Sequence, residues 1–353
     1  MAERVLMKGN EALAEAAIRA GVRHFFGYPI TPQTELAAYM AKRMPKIGGT
    51  YLQAESEIAA INMVYGAAAA GVRAMTSSSS PGISLKTEGI SYIAGADLPC
   101  LIINVQRGGP GLGGIQPSQA DYWQATRATG HGDFQVLVFA PCSIQEMVDL
   151  VFRAYDRAET YRMPAMILAD GMLGQMMEPV VFDDREVVPH EKPWAVNGHQ
   201  NARPHNIVNS LYLKPDELER TIRERFARYD VVKEKETMAE AYLCEDAELV
   251  VAAYGACARI VKNAVNQARA DGMKVGLFRP VTLWPFPERE LRKASENARA
   301  LLTVEMSMGQ MVDDVRLAIE CRKPVSFFGR TGGIIPTPDE VYGEIKKILG
   351  GDR

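Results

Sequence analysis

Three polar residues stand out by type and by setting. Glu57 lies in Tyr51-Leu-Gln-Ala-Glu-Ser-Glu-Ile-Ala-Ala-Ile-Asn-Met-Val-Tyr-Gly66, between an apolar run and a stretch of small residues. Thr31 lies in Gly27-Tyr-Pro-Ile-Thr-Pro32, and Arg107 in Leu101-Ile-Ile-Asn-Val-Gln-Arg-Gly-Gly109. A carboxylate in a dry site can bond a ring nitrogen with large effect, because low dielectric enlarges the interaction. A hydroxyl at a helix start sits where anions collect. The fork of an arginine matches a carboxylate bidentately. The combination suits thiamine diphosphate chemistry on a 2-oxo acid.

Each residue also has a plainer reading. Glu57 fits as a first-turn acid favoured by the helix dipole, with Ser56 or Glu55 near the cap. Ile58, Ile61 and Val64 then mark a buried helix that runs into Gly66-Ala-Ala-Ala-Ala-Gly71, small enough for close approach by a cofactor or a partner subunit. Thr31 reads as an N-cap with Pro32 at the first helical position. Arg107 fits as a solvated strand-end arginine, but the glycine-rich loop after it lets backbone come close to a ligand. Gly109-Pro-Gly-Leu-Gly-Gly114 formally matches G-x-G-x-x-G, yet Ile115-Gln-Pro-Ser118 does not open a crossover helix, which weakens a nicotinamide site there. Thr76-Ser-Ser-Ser-Ser-Pro-Gly82 lacks G-x-S-x-G and a paired histidine, so it reads as a hydrogen-bonding shelf rather than a nucleophile. His131, in Gly130-His-Gly-Asp133, is an accessible loop histidine.

The elements that must position these residues follow from hydrophobic periodicity. Strands are expected at His24–Gly27, Thr50–Gln53, Val72–Thr76, Cys100–Gln106, Gln135–Ala140 and Ala165–Ala169. Helical patterns fall between them at Glu11–Ala20, Gln33–Ala41, Glu57–Ala70, Ile83–Ala94 and Ile144–Ala158. Such alternation implies a mostly parallel sheet covered on both faces. Ligands of such sheets bind beyond the carboxyl ends of the strands, where Gly27, Thr76 and Gln106 lie. A parallel-sheet domain is thus set at 1–180 and a connector at 181–237. The connector is rich in proline, histidine and charge, includes Val188-Pro-His-Glu-Lys-Pro193, and carries a charged helix at Pro215–Tyr229. A smaller α/β domain, 238–353, resumes the alternation at Glu248–Gly255, Val275–Phe278, Ala300–Val304 and Val325–Phe328.

The chain has 353 residues, of which 47% are hydrophobic and 24% charged, ample for a sizeable core. A net charge of −3 favours neither nucleic acid nor an anionic membrane as partner. No apolar run reaches spanning length and the start lacks a signal peptide's apolar segment, so a cytoplasmic location is expected. Cys100, Cys142, Cys244, Cys257 and Cys321 lie far apart, which argues against an iron–sulfur site or disulfide framework in this chain. The histidines show no metal-ligand spacing. Any electron carriers belong to another polypeptide.

Taken together, Gly27-Tyr-Pro-Ile-Thr-Pro32, Glu55-Ser-Glu-Ile-Ala59, Ser80-Pro-Gly82, Gln106-Arg-Gly-Gly-Pro110 and Gln119-Ala-Asp121 resemble, in order, motifs of the pyrimidine-binding subunit of the 2-oxoacid:ferredoxin oxidoreductases. Tyr254-Gly255, Arg279-Pro-Val-Thr-Leu-Trp-Pro-Phe-Pro287, Glu305-Met-Ser307 and Gly329-Arg-Thr-Gly-Gly333 extend the resemblance over almost the whole chain. The glycine-rich loop is most similar to the 2-oxoisovalerate type and departs from the 2-oxoglutarate type.

The resemblance implies a thiamine-diphosphate-binding domain followed by a transketolase-C-like domain. It implies that Glu57 contacts the aminopyrimidine, with Tyr28, Pro29, Ser80, Gly82, Gly108 and His131 around the cofactor, while Thr31 and Arg107 hold the substrate. It further implies oxidative decarboxylation of a 2-oxo acid, with coenzyme A as co-substrate and ferredoxin as acceptor. The Gly-Asp-Gly…Asn motif for the magnesium diphosphate end is missing; Asp170-Gly171 and Asp271-Gly272 do not supply it. Mg2+ and [4Fe–4S] clusters therefore fall to partners: a thiamine-diphosphate-binding β-type subunit, with γ and ferredoxin-like δ subunits. Competing expectations are the same chemistry on 2-oxoglutarate, a non-catalytic assembly or regulatory subunit, and another thiamine enzyme such as a transketolase-like transferase.

Overall fold

The computed structural model describes residues 4–182, 187 and 190–350. Within the connector, 183–186 and 188–189, including the Val188-Pro189 start of its proline-rich stretch, lie outside the described residues.

Alternation of apolar runs and helical patterns produces the first sheet as anticipated. In chain order the elements are β1 (Arg4–Lys8), α1 (Gly9–Arg19), β2 (His24–Gly27), α2 (Thr34–Arg43), β3 (Thr50–Gln53), α3 (Glu57–Ala69), β4 (Ala74–Ser78) and α4 (Ser80–Gly95). There follow β5 (Leu101–Gln106), α5 (Tyr122–Thr126), β6 (Leu137–Phe139), α6 (Ile144–Tyr161), β7 (Ala165–Asp170), α7 (Gly171–Gln175) and β8 (Met177–Val181). After the connector come α8 (Pro215–Lys235), β9 (Ala239–Tyr242), β10 (Leu249–Ala252), α9 (Gly255–Ala270), β11 (Val275–Pro280) and β12 (Thr282–Trp284). The chain closes with α10 (Glu288–Ala294), β13 (Ala300–Glu305), α11 (Met311–Ala318), β14 (Val325–Gly329) and α12 (Pro338–Gly350).

The larger sheet has seven strands in the order β12-β6-β7-β5-β4-β2-β3. All its pairings are parallel except β12 with β6. Every residue of β4, β5 and β7 is buried, as strands covered on both faces require. From β2 the chain steps outward to β3, then returns to place β4 on the other side of β2. That reversal opens a crevice at the carboxyl ends of β2 and β4, where α2 and α4 diverge.

The second sheet has the order β14-β13-β10-β11-β9, parallel but for the β9 edge. Its carboxyl ends face the first unit. The Gln119 side chain donates to the Tyr254 carbonyl (2.9 Å) and accepts from the Met306 amide (3.0 Å). Strand β12 leaves the second half to pair with β6, through Thr282 opposite Phe139. Such a short strand, between Pro280 and a cis Trp284–Pro285 bond, carries no periodicity to announce it. The antiparallel ribbon β1–β8 is likewise invisible to local pattern, since it pairs Arg4 with Val181.

Candidate active site

A cleft of about 470 Å3 opens at the carboxyl ends of β2, β4 and β5. Tyr28, Pro29, Ile30 and Thr31 line it from the segment after β2, Glu57 from α3, Gly82 and Leu85 from α4, and Arg107 and Leu112 from the segment after β5. Stretches remote in sequence thus meet where the strand order reverses.

Glu57 is the first residue of α3 and only 6% exposed. Ser56 caps the helix, its Oγ accepting from the Ala59 amide at 3.2 Å, so the helix start owes nothing to the glutamate side chain. No hydrogen bond or ion pair among the described residues engages the Glu57 carboxylate. Gly82, in the first turn of α4, packs against it. A Cβ at that position would lie 2.8 Å from Glu57 Oε1 and 2.1 Å from Ser78 Oγ, so no other residue fits without moving one of them. The Ser78 and Ser79 hydroxyls are buried and unpartnered, whereas Ser77 donates to Gln33 Oε1 at 2.6 Å. One turn beyond Gly82, the completely buried Lys86 donates to Thr76 Oγ1 at 3.0 Å. Burial pushes its ammonium down to about 8, opposed by the charge of Glu57. Nothing in Ile83-Ser-Leu-Lys-Thr-Glu88 distinguishes this lysine from a solvated one.

Arg107, 7% exposed, donates through Nη1 to the Thr31 carbonyl and through Nη2 to the Leu112 carbonyl, each at 3.0 Å. Its Nε is buried without a partner. The guanidinium therefore ties the segment after β2 to the glycine-rich loop and keeps donors free. Ser80 secures its backbone: the hydroxyl accepts from the Arg107 amide (3.0 Å) and donates to Asp121 Oδ2 (2.6 Å). Burial raises the Asp121 carboxyl, against the bonds from Ser80 and Asn104.

Two local expectations need correction. Thr31 does not cap α2, which begins at Thr34 after Gln33; the Thr31–Pro32 bond is cis and Thr31 is exposed on the cleft. The reason is the buried Gln33 side chain, drawn inward to Ser77 and the Tyr28 carbonyl, while Asn10 donates to the Pro32 carbonyl at 2.7 Å. Ile58 does not share the buried face of Ile61 and Val64 but is 50% exposed.

Of the residues singled out from sequence, Tyr28, Pro29, Thr31, Glu57, Gly82 and Arg107 meet in the cleft. Ser80 stands behind it, as a brace. Gly108 turns the glycine-rich loop, donating to the Gln116 carbonyl and accepting from the Gly114 amide, and lies beside Gly332 and Gly333. His131 is exposed at the opposite end of α4, where Nδ1 lies 3.4 Å from Ser91 Oγ, so the structure does not bring it to the cleft. Sequence reasoning missed Lys86, Leu85 and Leu112.

The cleft fits the aminopyrimidine end of a thiamine cofactor: a carboxylate without a hydrogen-bond partner, a glycine cradle, and orphaned hydroxyls beneath. It does not fit the diphosphate end. Arg107 is the only cation among the lining residues, and no three His, Cys, Asp or Glu side chains among the described residues are grouped to hold a metal ion. No helix among them is long and apolar enough to cross a membrane.

Residues 15–242 match the family described as pyruvate flavodoxin/ferredoxin oxidoreductase, thiamine diphosphate-binding, and residues 247–341 match core domain II of pyruvate:ferredoxin oxidoreductase. The chain is 48% identical to the ketoisovalerate oxidoreductase subunit VorB of Methanothermobacter marburgensis, covering 98% of each. It is 36% identical to the 2-oxoglutarate synthase subunit KorA of Methanothermobacter thermautotrophicus, covering 99% of this chain and 100% of that one. Among solved structures, the 2-oxoglutarate:ferredoxin oxidoreductase of Magnetococcus marinus superposes with a TM-score of 0.83 at 27% identity. The match takes in 98% of this chain but only 65% of that longer one. With the site geometry and these likenesses in agreement, the chain belongs to the pyruvate flavodoxin/ferredoxin oxidoreductase family, as a subunit of a 2-oxoacid oxidoreductase complex carrying the thiamine-diphosphate-binding domain.

Proposed function

We propose that this chain supplies the pyrimidine-binding half of a thiamine-diphosphate-dependent, ferredoxin-linked oxidoreductase converting a branched 2-oxo acid and coenzyme A into an acyl-CoA and CO2. The observation that carries the reading is Glu57, buried, facing the cleft, and without a hydrogen-bond partner among the described residues. When bound, thiamine diphosphate supplies a nucleophilic thiazolium carbon and an electron sink for decarboxylation. Glu57 would accept a hydrogen bond from the protonated ring nitrogen N1′, and Gly82 leaves room for the ring edge. Ser56 holds the glutamate's helix in place without competing for its carboxylate. Arg107 has five N–H donors, of which two are engaged, so it can take the substrate carboxylate while keeping both carbonyl bonds. Thr31, whose carbonyl that guanidinium holds, lines the same cleft.

Substrate choice follows from the remaining wall. Ile30, Leu85 and Leu112 present aliphatic surface, and no second cation lines the cleft to meet the distal carboxylate of 2-oxoglutarate. A branched aliphatic tail matches better, in keeping with the VorB likeness.

Since the described residues offer no diphosphate grip, Mg2+ and the diphosphate belong to a β-type subunit in this reading. The [4Fe–4S] clusters belong to a ferredoxin-like δ subunit, with γ completing the complex and the whole cytoplasmic. Ile58, Leu85, Leu112 and Ile115 are at least half exposed, three beside or within the cleft and Ile115 on its glycine-rich loop. A covering subunit would bury that apolar surface. The test is to purify the chain with its co-expressed partner subunits and assay viologen reduction against a panel of 2-oxo acids. The proposal expects strong coenzyme A-dependent turnover of 2-oxoisovalerate and none by this chain alone. Turnover of 2-oxoglutarate without 2-oxoisovalerate would overturn the substrate assignment.

A further inference from the structure

The seam between α3 and α4 holds a group the mechanism above does not use. Gly82 and Gly89 bring the two helices together: a Cβ on Gly89 would lie 2.4 Å from Ile61 Cγ2, as one on Gly82 would strike Glu57. Lys86 lies between these glycines and is wholly inaccessible. Helical side chains lean toward the helix N-terminus, so Lys86 extends back over the turn containing Gly82. Its ammonium reaches Thr76 Oγ1 on β4, two residues before Ser78, whose orphaned hydroxyl abuts the same Gly82 position. Thr76, Ser78, Lys86 and Glu57 therefore gather around the Gly82 turn, with Lys86 and Glu57 more than 4 Å apart and acting on each other through space rather than as a contact ion pair. Thr76 is neutral, and Glu57 is the charged group that acts on Lys86. A buried charge without a counter-charge is strongly unfavourable.

We propose that Lys86 is a positioning residue, the buried counter-charge that keeps the Glu57 carboxylate aimed into the cleft. The inference rests on Glu57 being the contact to the aminopyrimidine. Lys86→Met keeps the length of the side chain and removes the charge, a change that buried sites often tolerate or gain from. The assembled complex, stripped of cofactor, is titrated calorimetrically with thiamine diphosphate in wild type, Lys86→Met, Glu57→Gln and the double variant, and each Tm is recorded.

With Glu57 in place, Lys86→Met is expected to weaken binding about 10-fold and to leave Tm equal or higher. In the Glu57→Gln background, where the amide carries no charge to hold, the same substitution should change nothing. Unchanged affinity with a lower Tm, an equal loss in both backgrounds, or failure to fold would mark Lys86 as structural and overturn the proposal. If Glu57→Gln alone leaves the affinity intact, the reading of Glu57 fails and this inference falls with it.

Discussion

Glu57 and Glu305 are both buried glutamates where strand gives way to helix, one beside each sheet, and their neighbours set them apart. Glu305, at the end of β13, accepts from the amides of Gln310, Met311 and Val312 at 3.0–3.2 Å and from the Ser307 hydroxyl at 2.9 Å. Its carboxylate is the cap of α11. Glu57 has Ser56 to cap its helix and faces a cleft with its own oxygens free. The same side chain thus builds the fold in one place and waits for a ligand in the other. What identifies the functional carboxylate is an unfilled set of acceptors, rather than burial or position.

The sharpest way to break this contrast is to neutralise each glutamate in turn. Glu57→Gln should lower turnover of the assembled complex by about 100-fold or more, the scale of a lost acid–base contact, with the fall in Tm limited to what leaving Lys86 without its counter-charge costs. Steady-state kinetics beside a thermal melt checks both halves; a large fall in Tm with turnover retained would place Glu57 with Glu305. Glu305→Ala should do the reverse, destabilising the chain by about 3 kcal/mol in urea unfolding, since several buried amides lose their acceptor. A variant as stable as wild type would show that α11 does not depend on this cap.

Smaller effects sharpen the picture of the cleft. Leu112→Arg adds a second cation to a wall that has only Arg107, and should shift the ratio of kcat/KM toward 2-oxoglutarate by about 10-fold. An unchanged ratio would remove Leu112 from substrate selection. The smallest effect concerns pH. The Lys86 ammonium is held at about 8 in the folded chain against an ordinary 10.5. Between these values the unfolded chain keeps a proton the folded chain has lost, so this group makes stability rise with pH. Lys86→Met should therefore gain most over wild type below about pH 8 and lose that advantage toward about pH 10. A constant difference across the range would contradict the shift.

Much of the fold was legible because its signals are local. Strands β2 and β3 match expectation residue for residue, and β5 and β7 to within one, because short runs rich in aliphatic and aromatic residues between helical periodicities admit few other readings. Glu57 read correctly as a first-turn acid, and of the two cap residues cap chemistry offered, Ser56 is the one that caps. The features that escaped are those decided at a distance. β12 joins a sheet that the rest of its half does not belong to, and β1 pairs with β8 across almost the whole first unit. The turn at Thr31 is governed by Gln33, held by Ser77 on β4, and by Pro32, whose carbonyl accepts from Asn10 on α1. Lys86 looks solvated in sequence and is enclosed only because two glycines draw α3 and α4 together.

The most direct measurement is a structure of the complete complex with thiamine diphosphate bound. The account predicts the aminopyrimidine N1′ within hydrogen-bonding distance of the Glu57 carboxylate, with the diphosphate and Mg2+ held by the partner subunit. A ring lying well away from Glu57, or a diphosphate gripped by this chain, would contradict it.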